Sequence, residues 1–304
     1  LGVASASGVS AAQAARRYGF RYATSQESDV LSDTSINTVA ILTRHHLHAS
    51  QVISALDAGK NVFCEKPLAL TREELEDIAA TLVRINEKQD EVVPLLMVGF
   101  NRRFSPMAKK LQAFLADRHE PLVAHYRVNA GYIPSTHWVQ DPAQGGGRII
   151  GEGCHFVDFL TYLVGAPPVS VVGQAMSDNG HYQGDNVVLT FTFADGSVGT
   201  LTYLANGDKA FPKERVEVFA EGRVAVLDDF RALEMVRDGK RDSYRSRLRQ
   251  DKGHAGEWQA LIAAISAGGP PPIPYDHIIG VTQATFAAVE ALRNNERRLV
   301  KFQE

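Results

Sequence analysis

Glu65-Lys66-Pro67 ends the apolar run Asn61-Val62-Phe63-Cys64, and a helix start follows at Thr71. Folding alone gives little reason for a carboxylate and an ammonium at the end of a buried strand, although a plain surface ion pair is the simple alternative. In an open α/β sheet the carboxyl edge of the strands is where ligands bind. Lys66 suits an oxygen that gains negative charge, with Glu65 beside it as an anchor. The second chemical group is His155. An unperturbed imidazole titrates near ~6.5 and can accept a proton at neutral pH. A helix is expected over about 152–164, so His155 sits near its start, where the dipole favours the neutral, accepting form. A histidine merely packed at a helix start is the plainer reading. Glu152 and Asp158 flank it, and Asp158 at i+3 shares its helix face. An ammonium and an imidazole together could stabilise a charged oxygen and take up its proton.

Two regimes of elements must bring these groups together. Up to about Met97 strands and helices alternate. Leu1–Ser5 reads as a strand tail and Ser10–Tyr18 as a helix stopped at Gly19. Thr38–Thr43 is a β-branched run typical of a strand buried on both faces. His48–Ala58 carries apolar residues at helical spacing. Val62–Cys64 is a strand, Thr71-x-x-Glu74 is a capping box, and Pro94–Phe100 is a further strand. This order predicts a parallel sheet with right-handed crossovers. From about Pro121 the signal becomes antiparallel, with hairpin turns at Asp195-Gly196, Glu221-Gly222 and Asp238-Gly239. Trp258, Leu261, Ile262 and Ile265 form a helical stripe, and a last helix is expected over about 276–293. The fold class is therefore α/β with α+β. A partial Rossmann-type domain over 1–120 is expected to precede an α+β domain over 121–304, whose large open sheet is covered by helices on one face.

Composition narrows the function. The 304 residues carry a net charge of −3, with no general basic field for nucleic acid. No apolar run approaches the roughly 20 residues that span a bilayer, and no signal peptide is evident, so a cytoplasmic protein is expected. Cys64 and Cys154 follow no metal spacing. His45, His46 and His48 lack a nearby cysteine or carboxylate to complete a zinc set, so no metal is expected. The glycine-rich G-x-G-x-x-G turn that grips a pyrophosphate is missing. The chain starts in what reads as the second strand, as expected of a fragment lacking its first β-α unit.

Thr43-Arg44-His45-His46-Leu47-His48, the stretch from Ala58 to Leu68, and Gly145 through Asp158 together resemble the Gfo/Idh/MocA family of NAD(P)-dependent oxidoreductases. Gly99–Phe104 and the stretch from Gly131 to Trp138 are similar to a subgroup in which this unit follows a zinc-alcohol-dehydrogenase-like domain, often in bacterial polysaccharide metabolism. The resemblance implies NAD or NADP as cofactor and a sugar, polyol or nucleotide-sugar substrate. It also implies a homo-oligomer, dimer or tetramer, joined through the open sheet face. It implies that Lys66 contacts the substrate hydroxyl and Glu65 the nicotinamide side. With Ser5, Thr43, Arg44, His48 and Asn101, Glu65 forms the candidate cofactor set. Arg103, Tyr132, Trp138, Arg148 and Asp158 form the candidate substrate set, and Lys66, His155 and Glu152 the catalytic set. Many members carry an aspartate four residues before this histidine; Gly151 stands there instead. That departure suits a second reading, a catalytically silent binding or assembly domain of a polysaccharide pathway. Ser5, where a ribose-reading acid often stands, permits NADP.

Overall fold

The computed structural model describes residues 1–87, 93–177, 180–246 and 249–300. The first part alternates β1 (Gly2–Ala4), α1 (Gly8–Tyr18), β2 (Tyr22–Thr24), α2 (Glu27–Ser32), β3 (Thr38–Ile41), α3 (His48–Asp57), β4 (Asn61–Cys64), α4 (Arg72–Asn86) and β5 (Leu96–Val98). α1 stops at Gly19, whose φ of 74° lets its N–H cap the last turn. α4 opens on the expected capping box: Thr71 Oγ1 accepts from the Glu74 N–H, and the Glu74 carboxylate accepts from the Thr71 N–H. Its stripe of Leu75, Ile78, Leu82 and Ile85 is buried. β2 and α2 escaped the sequence reading because Tyr-Ala-Thr and a six-residue polar helix carry no apolar period.

All five strands pair in parallel, in two pieces, β2–β1 and β3–β4–β5. The two pieces are not hydrogen-bonded to each other among the described residues. Thr38–Thr43 therefore departs from expectation. β3 is the edge of its piece, so Ala40 is exposed and Thr38 and Val39 are only half-buried. β4 lies between two partners, and its Val62, Phe63 and Cys64 are buried.

The second part begins with α5 (Pro106–Leu115) and β6 (Val123–Asn129), followed by α6 (Cys154–Val164). Seven strands come next: β7 (Ser170–Ala175), β8 (Asn186–Thr192), β9 (Val198–Leu204), β10 (Glu214–Ala220), β11 (Arg223–Asp228), β12 (Ala232–Arg237) and β13 (Lys240–Arg245). α7 (His254–Ala267), α8 (Tyr275–Asn294) and β14 (Arg298–Leu299) end it. The nine strands run in the order β13-β12-β11-β10-β6-β9-β8-β7-β14, antiparallel except for the β6–β9 pair. The expected hairpin turns are present: Glu221-Gly222 and Asp238-Gly239 both take positive φ at their two central residues, as two-residue hairpins require. α5, α6 and α8 cover one face. Val123, Val172, Val188 and Phe219 stand exposed on the strands. α7 leans on the core through Leu261 and Trp258, but Ile262, expected in the same stripe, is turned to solvent. Among the described residues no helix is long and apolar enough to cross a membrane.

Two buried arginines just after β5 join the two parts. Arg102 donates to both Glu214 oxygens at 2.7 and 2.9 Å, and that carboxylate also accepts from Tyr126 (2.5 Å) and Lys252 (2.6 Å). Arg103 pairs with buried Asp158 on α6. Removing one partner of a buried pair leaves an uncompensated charge, which costs about 3–5 kcal/mol. Glu214→Ala is therefore expected to lose stability of that order in urea unfolding. A midpoint within error of the parent would show that Arg102 and Lys252 do not depend on Glu214.

Candidate active site

β4 delivers Lys66 to the carboxyl edge of the sheet, and its ammonium donates to the Gly151 carbonyl at 2.7 Å, 85 residues away in sequence. Gly151 sits in a π-helical turn, Ile149–Gly153, that runs into α6. Such turns concentrate at functional sites because they break the regular i→i−4 ladder. A side chain at 151 would be crowded: a Cβ there would stand 3.0 Å from the His45 ring and 3.1 Å from the Gly145 carbonyl, so these neighbours would have to give by a few tenths of an ångström.

The π turn also corrects the expected start of the helix. α6 begins at Cys154 and is entered from helical residues, so His155 does not sit at a free helix N-terminus. Its pKa is nevertheless driven well below the usual imidazole value. Burial is the main cause, followed by the positive charges of Arg102, Lys66 and Lys213. His155 is thus neutral at physiological pH, and its buried Nδ1 has no hydrogen-bond partner. Neither flanking carboxylate is hydrogen-bonded to it. Asp158 is committed to Arg103, so these two are a structural pair rather than substrate ligands. Glu152 accepts from Arg148 (2.9 Å), Lys213 (2.5 Å) and Tyr203 (2.5 Å). Burial opposes its ionisation, but Lys213, Tyr203 and Arg148 together hold it well below the carboxylate range. A carboxylate so held is no proton acceptor at neutral pH, which corrects its place in the catalytic set: Glu152 anchors the π turn. Arg148 is buried in the same cluster and also donates to the Gly131 carbonyl.

The turn after β3 closes the other side. Arg44 donates to the Gln144 side chain (2.5 Å), His46 N–H donates to the Gln144 carbonyl (3.2 Å), and the Arg44 guanidinium lies over Trp138. Thr43 donates to Gln51. His48 is used inside the fold: fully buried, it donates Nδ1–H to the Pro67 carbonyl at 2.7 Å and sets Nε2 3.2 Å from the Thr43 carbonyl. Asn101 is buried and donates to the Lys252 carbonyl. Tyr132 stacks on His181, 4.5 Å between ring centres, at a more exposed position. Ser5 follows β1 and is bonded through its N–H to Thr24.

Sequence reasoning missed the segment from Lys252 to Trp258 at the start of α7. Trp258 stacks on Phe63 of β4 at 4.3 Å. Glu257 is buried with one carboxyl oxygen unpartnered, and it faces Glu65. Burial, then the Glu65 charge, pushes its pKa up to about 8, against a smaller opposing pull from Arg102. Lys213, just ahead of β10, belongs to the Glu152 cluster. Only the tertiary fold assembles these contacts.

Residues 1–93 match a family profile described as the GFO/IDH/MocA oxidoreductase family with an NAD-binding Rossmann fold, and residues 120–224 match the GFO/IDH/MocA C-terminal domain. Levoglucosan dehydrogenase of Pseudarthrobacter phenanthrenivorans is 32% identical over 166 residues, covering 51% of this chain but only 40% of that protein. Inositol 2-dehydrogenase 2 of Paenarthrobacter aurescens is 28% identical over 260 residues, 82% of this chain and 75% of that protein. A levoglucosan dehydrogenase structure with NADH and levoglucosan superposes with a TM-score of 0.85 at 24% identity, covering 99% of this chain and 90% of that one.

Glu257 gives a stability signature. Between about pH 4.5 and pH 8 the folded protein keeps a proton that the unfolded chain has released. The unfolded state then binds fewer protons, so this group makes stability fall as pH rises through that window and adds no slope above it. Glu257→Gln is expected to flatten that decline in urea unfolding at pH 5, 6.5 and 8. Parallel pH profiles for the two proteins would show that Glu257 ionises normally.

Proposed function

The chain belongs to the GFO/IDH/MocA oxidoreductase family, and from that premise we propose that its site exchanges a hydride between a nicotinamide dinucleotide and a carbinol of a sugar or polyol. The observation that carries this reading is the meeting of Lys66 with the Gly151–His155 segment, an ammonium and a neutral imidazole from different parts of the fold. The relatives named for levoglucosan and for inositol point to the same substrate class.

The donor set fits one end of the cofactor. Glu65, Lys66 and the Thr43–Arg44 turn lie at the carboxyl edge of β3 and β4, beside the unpartnered polar atoms of His155 and Glu257. A nicotinamide suits that edge. No G-x-G-x-x-G turn for the pyrophosphate occurs in the 304 residues. When bound, the dinucleotide supplies hydride transfer. The chain's own residues do the rest. Lys66, fixed through Gly151, stabilises negative charge on the reacting oxygen. His155, kept neutral, takes the hydroxyl proton in oxidation and returns it in reduction. Because burial and the nearby cations disfavour its protonated form, that proton must pass on promptly. The Glu152 cluster keeps the π turn in place. Ser5 at the end of β1 leaves room for either NAD or NADP.

Two measurements test this. NADH and NADPH titrations followed by fluorescence are expected to show binding of at least one; binding of neither sinks the reading. With turnover on a polyol panel including levoglucosan and myo-inositol, Lys66→Ala is expected to lower kcat by about 10²–10³-fold, and an unchanged kcat removes Lys66 from the chemistry. The uncovered sheet face, with Val188 and Phe219 at 47% and 44% exposure, is assigned to a second copy of the chain. Light scattering is expected to give a dimer or tetramer that Val188→Glu with Phe219→Glu converts to monomer; a monomeric parent overturns the assignment.

A further inference from the structure

Away from the Lys66–Gly151 contact, α4 and α8 enclose a groove of about 600 Å³. That is the size of a small-molecule pocket, and such pockets favour the joints between domains. Here α4 comes from the parallel part and α8 from the antiparallel part. Contacts on both helices fix the walls. Arg72 donates Nε–H and Nη2–H to Glu290 Oε1 at 3.1 and 2.8 Å and lies over Phe286. Tyr275, at the start of α8, accepts from the Leu96 N–H of β5 at 3.1 Å. The walls are apolar: Leu75, Ala79, Leu82 and Val83 of α4, at i, i+4, i+7 and i+8, with Ile279 of α8. Leu75 and Leu82 are buried, but Val83 is 59% exposed, so the apolar stripe of α4 is wider than α8 covers.

One polar group in this lining has no partner. Gln283 is 9% exposed and its Oε1 is sealed from water, yet its carboxamide makes no hydrogen bond among the described residues. A buried amide left unpaired costs stability, and each such group calls for an explanation. Nε2 is not sealed, so the carboxamide meets the groove, and a half-turn of the amide offers oxygen there in place of nitrogen. The rim carries free charge of one sign. Glu76, Glu87 and Asp276 have no ion pair among the described residues, whereas the cation beside them, Arg72, is committed to Glu290.

We infer that this groove is a binding site for a small amphiphilic amine, an aromatic body of one or two rings carrying a protonated amino group. The body lies against Ala79, Val83 and Ile279, a ring N–H or hydroxyl pairs with Gln283, and the ammonium faces the rim carboxylates. An anion of the same shape meets those carboxylates as like charges, and a neutral compound gains nothing from them. None of the groove's lining residues belongs to the cluster around Lys66, Gly151 and His155, so this site is additional to the one above and stands without the oxidoreductase reading.

Isothermal titration calorimetry with three indoles of similar size tests this. Tryptamine is expected to bind, tryptophol to bind about fivefold more weakly for want of the charge, and indole-3-propionate to give no measurable heat. Glu76→Gln with Asp276→Asn, both exposed positions, is expected to bring tryptamine down to the affinity of tryptophol. Gln283→Leu is expected to weaken tryptamine about fivefold, the value of one hydrogen bond, without lowering the urea midpoint. Ala79→Trp fills the groove and is expected to abolish binding; should that variant fail to fold, the double variant still decides. Equal affinity for tryptamine and indole-3-propionate, tryptamine affinity unchanged in the double variant, or no heat from tryptamine up to its solubility limit overturns the inference. A change of mass in light scattering on the double substitution would assign the groove to a second copy of the chain and overturns it equally.

Discussion

The hydrogen bond from Lys66 to the Gly151 carbonyl is the contact on which the site depends. It ties the end of β4 to the π turn ahead of α6, and so ties the parallel sheet to the large antiparallel one. It exists because three local conditions coincide. β4 is paired on both sides and buried, so Lys66 leaves it in a fixed direction. The π turn departs from the α-helical ladder just where a carbonyl is needed. Gly151 has no Cβ, which lets the turn after β3 and the Gly145 carbonyl close around it. The Arg44–Gln144 and His45–Gly145 contacts repeat the same junction from β3. Chemistry placed at such a seam is positioned by two rigid bodies at once, which is how orientation is fixed without a long catalytic loop.

The charges at this seam fall into two kinds. Glu152, Glu214 and Asp158 are each matched to cations and serve as fixed anions: Glu152 to Arg148 and Lys213, Glu214 to Arg102 and Lys252, Asp158 to Arg103. Among the described residues, His155, Glu257 and His45 are buried at the seam without such a partner, and each is driven toward its neutral form. Separation of titratable groups into held ions and held neutrals is a recurrent way to obtain acid–base function at neutral pH. The anions are therefore scaffolding, and the neutral groups are where protons can move. Glu152 and Asp158 lie next to His155 in sequence, yet both belong to the scaffold.

Much of the fold was legible in the chain. The capping box at Thr71, the glycine turns of the hairpins and the apolar stripe of α4 are local signals, and local physics decides them. β2 and α2 were not legible, because they are short and polar and are held by their neighbours rather than by pattern. Lys66 and His155 could be singled out as candidates because a charge at a strand end and a histidine beside a glycine loop are odd in sequence. The partners of Glu152 could not. Lys213 lies 61 residues on and Tyr203 51 residues on, and only the sheet register brings them to one carboxylate. Gly151 read as a loss, the place of a missing acid. In three dimensions the position is crowded, because the His45 ring stands 3.0 Å from where a Cβ there would lie.

The reactive end of the site is also independent of the weaker half of the parallel sheet. β1 and β2 form a separate pair with half-exposed residues, whereas β3–β4–β5 packs on α3 and α4 and carries the seam. Among the described residues, no partner of Lys66, His155 or the Glu152 cluster lies in β1, α1 or β2: their partners come from the segments 43–67, 99–105, 129–158, 203–214 and 252–258. Changes confined to β1, α1 and β2 can therefore occur without moving Lys66, His155 or the Glu152 cluster. In an α/β sheet whose ligand lies across the carboxyl edge, this division lets affinity for the dinucleotide and geometry of the reaction be set by different parts of one chain.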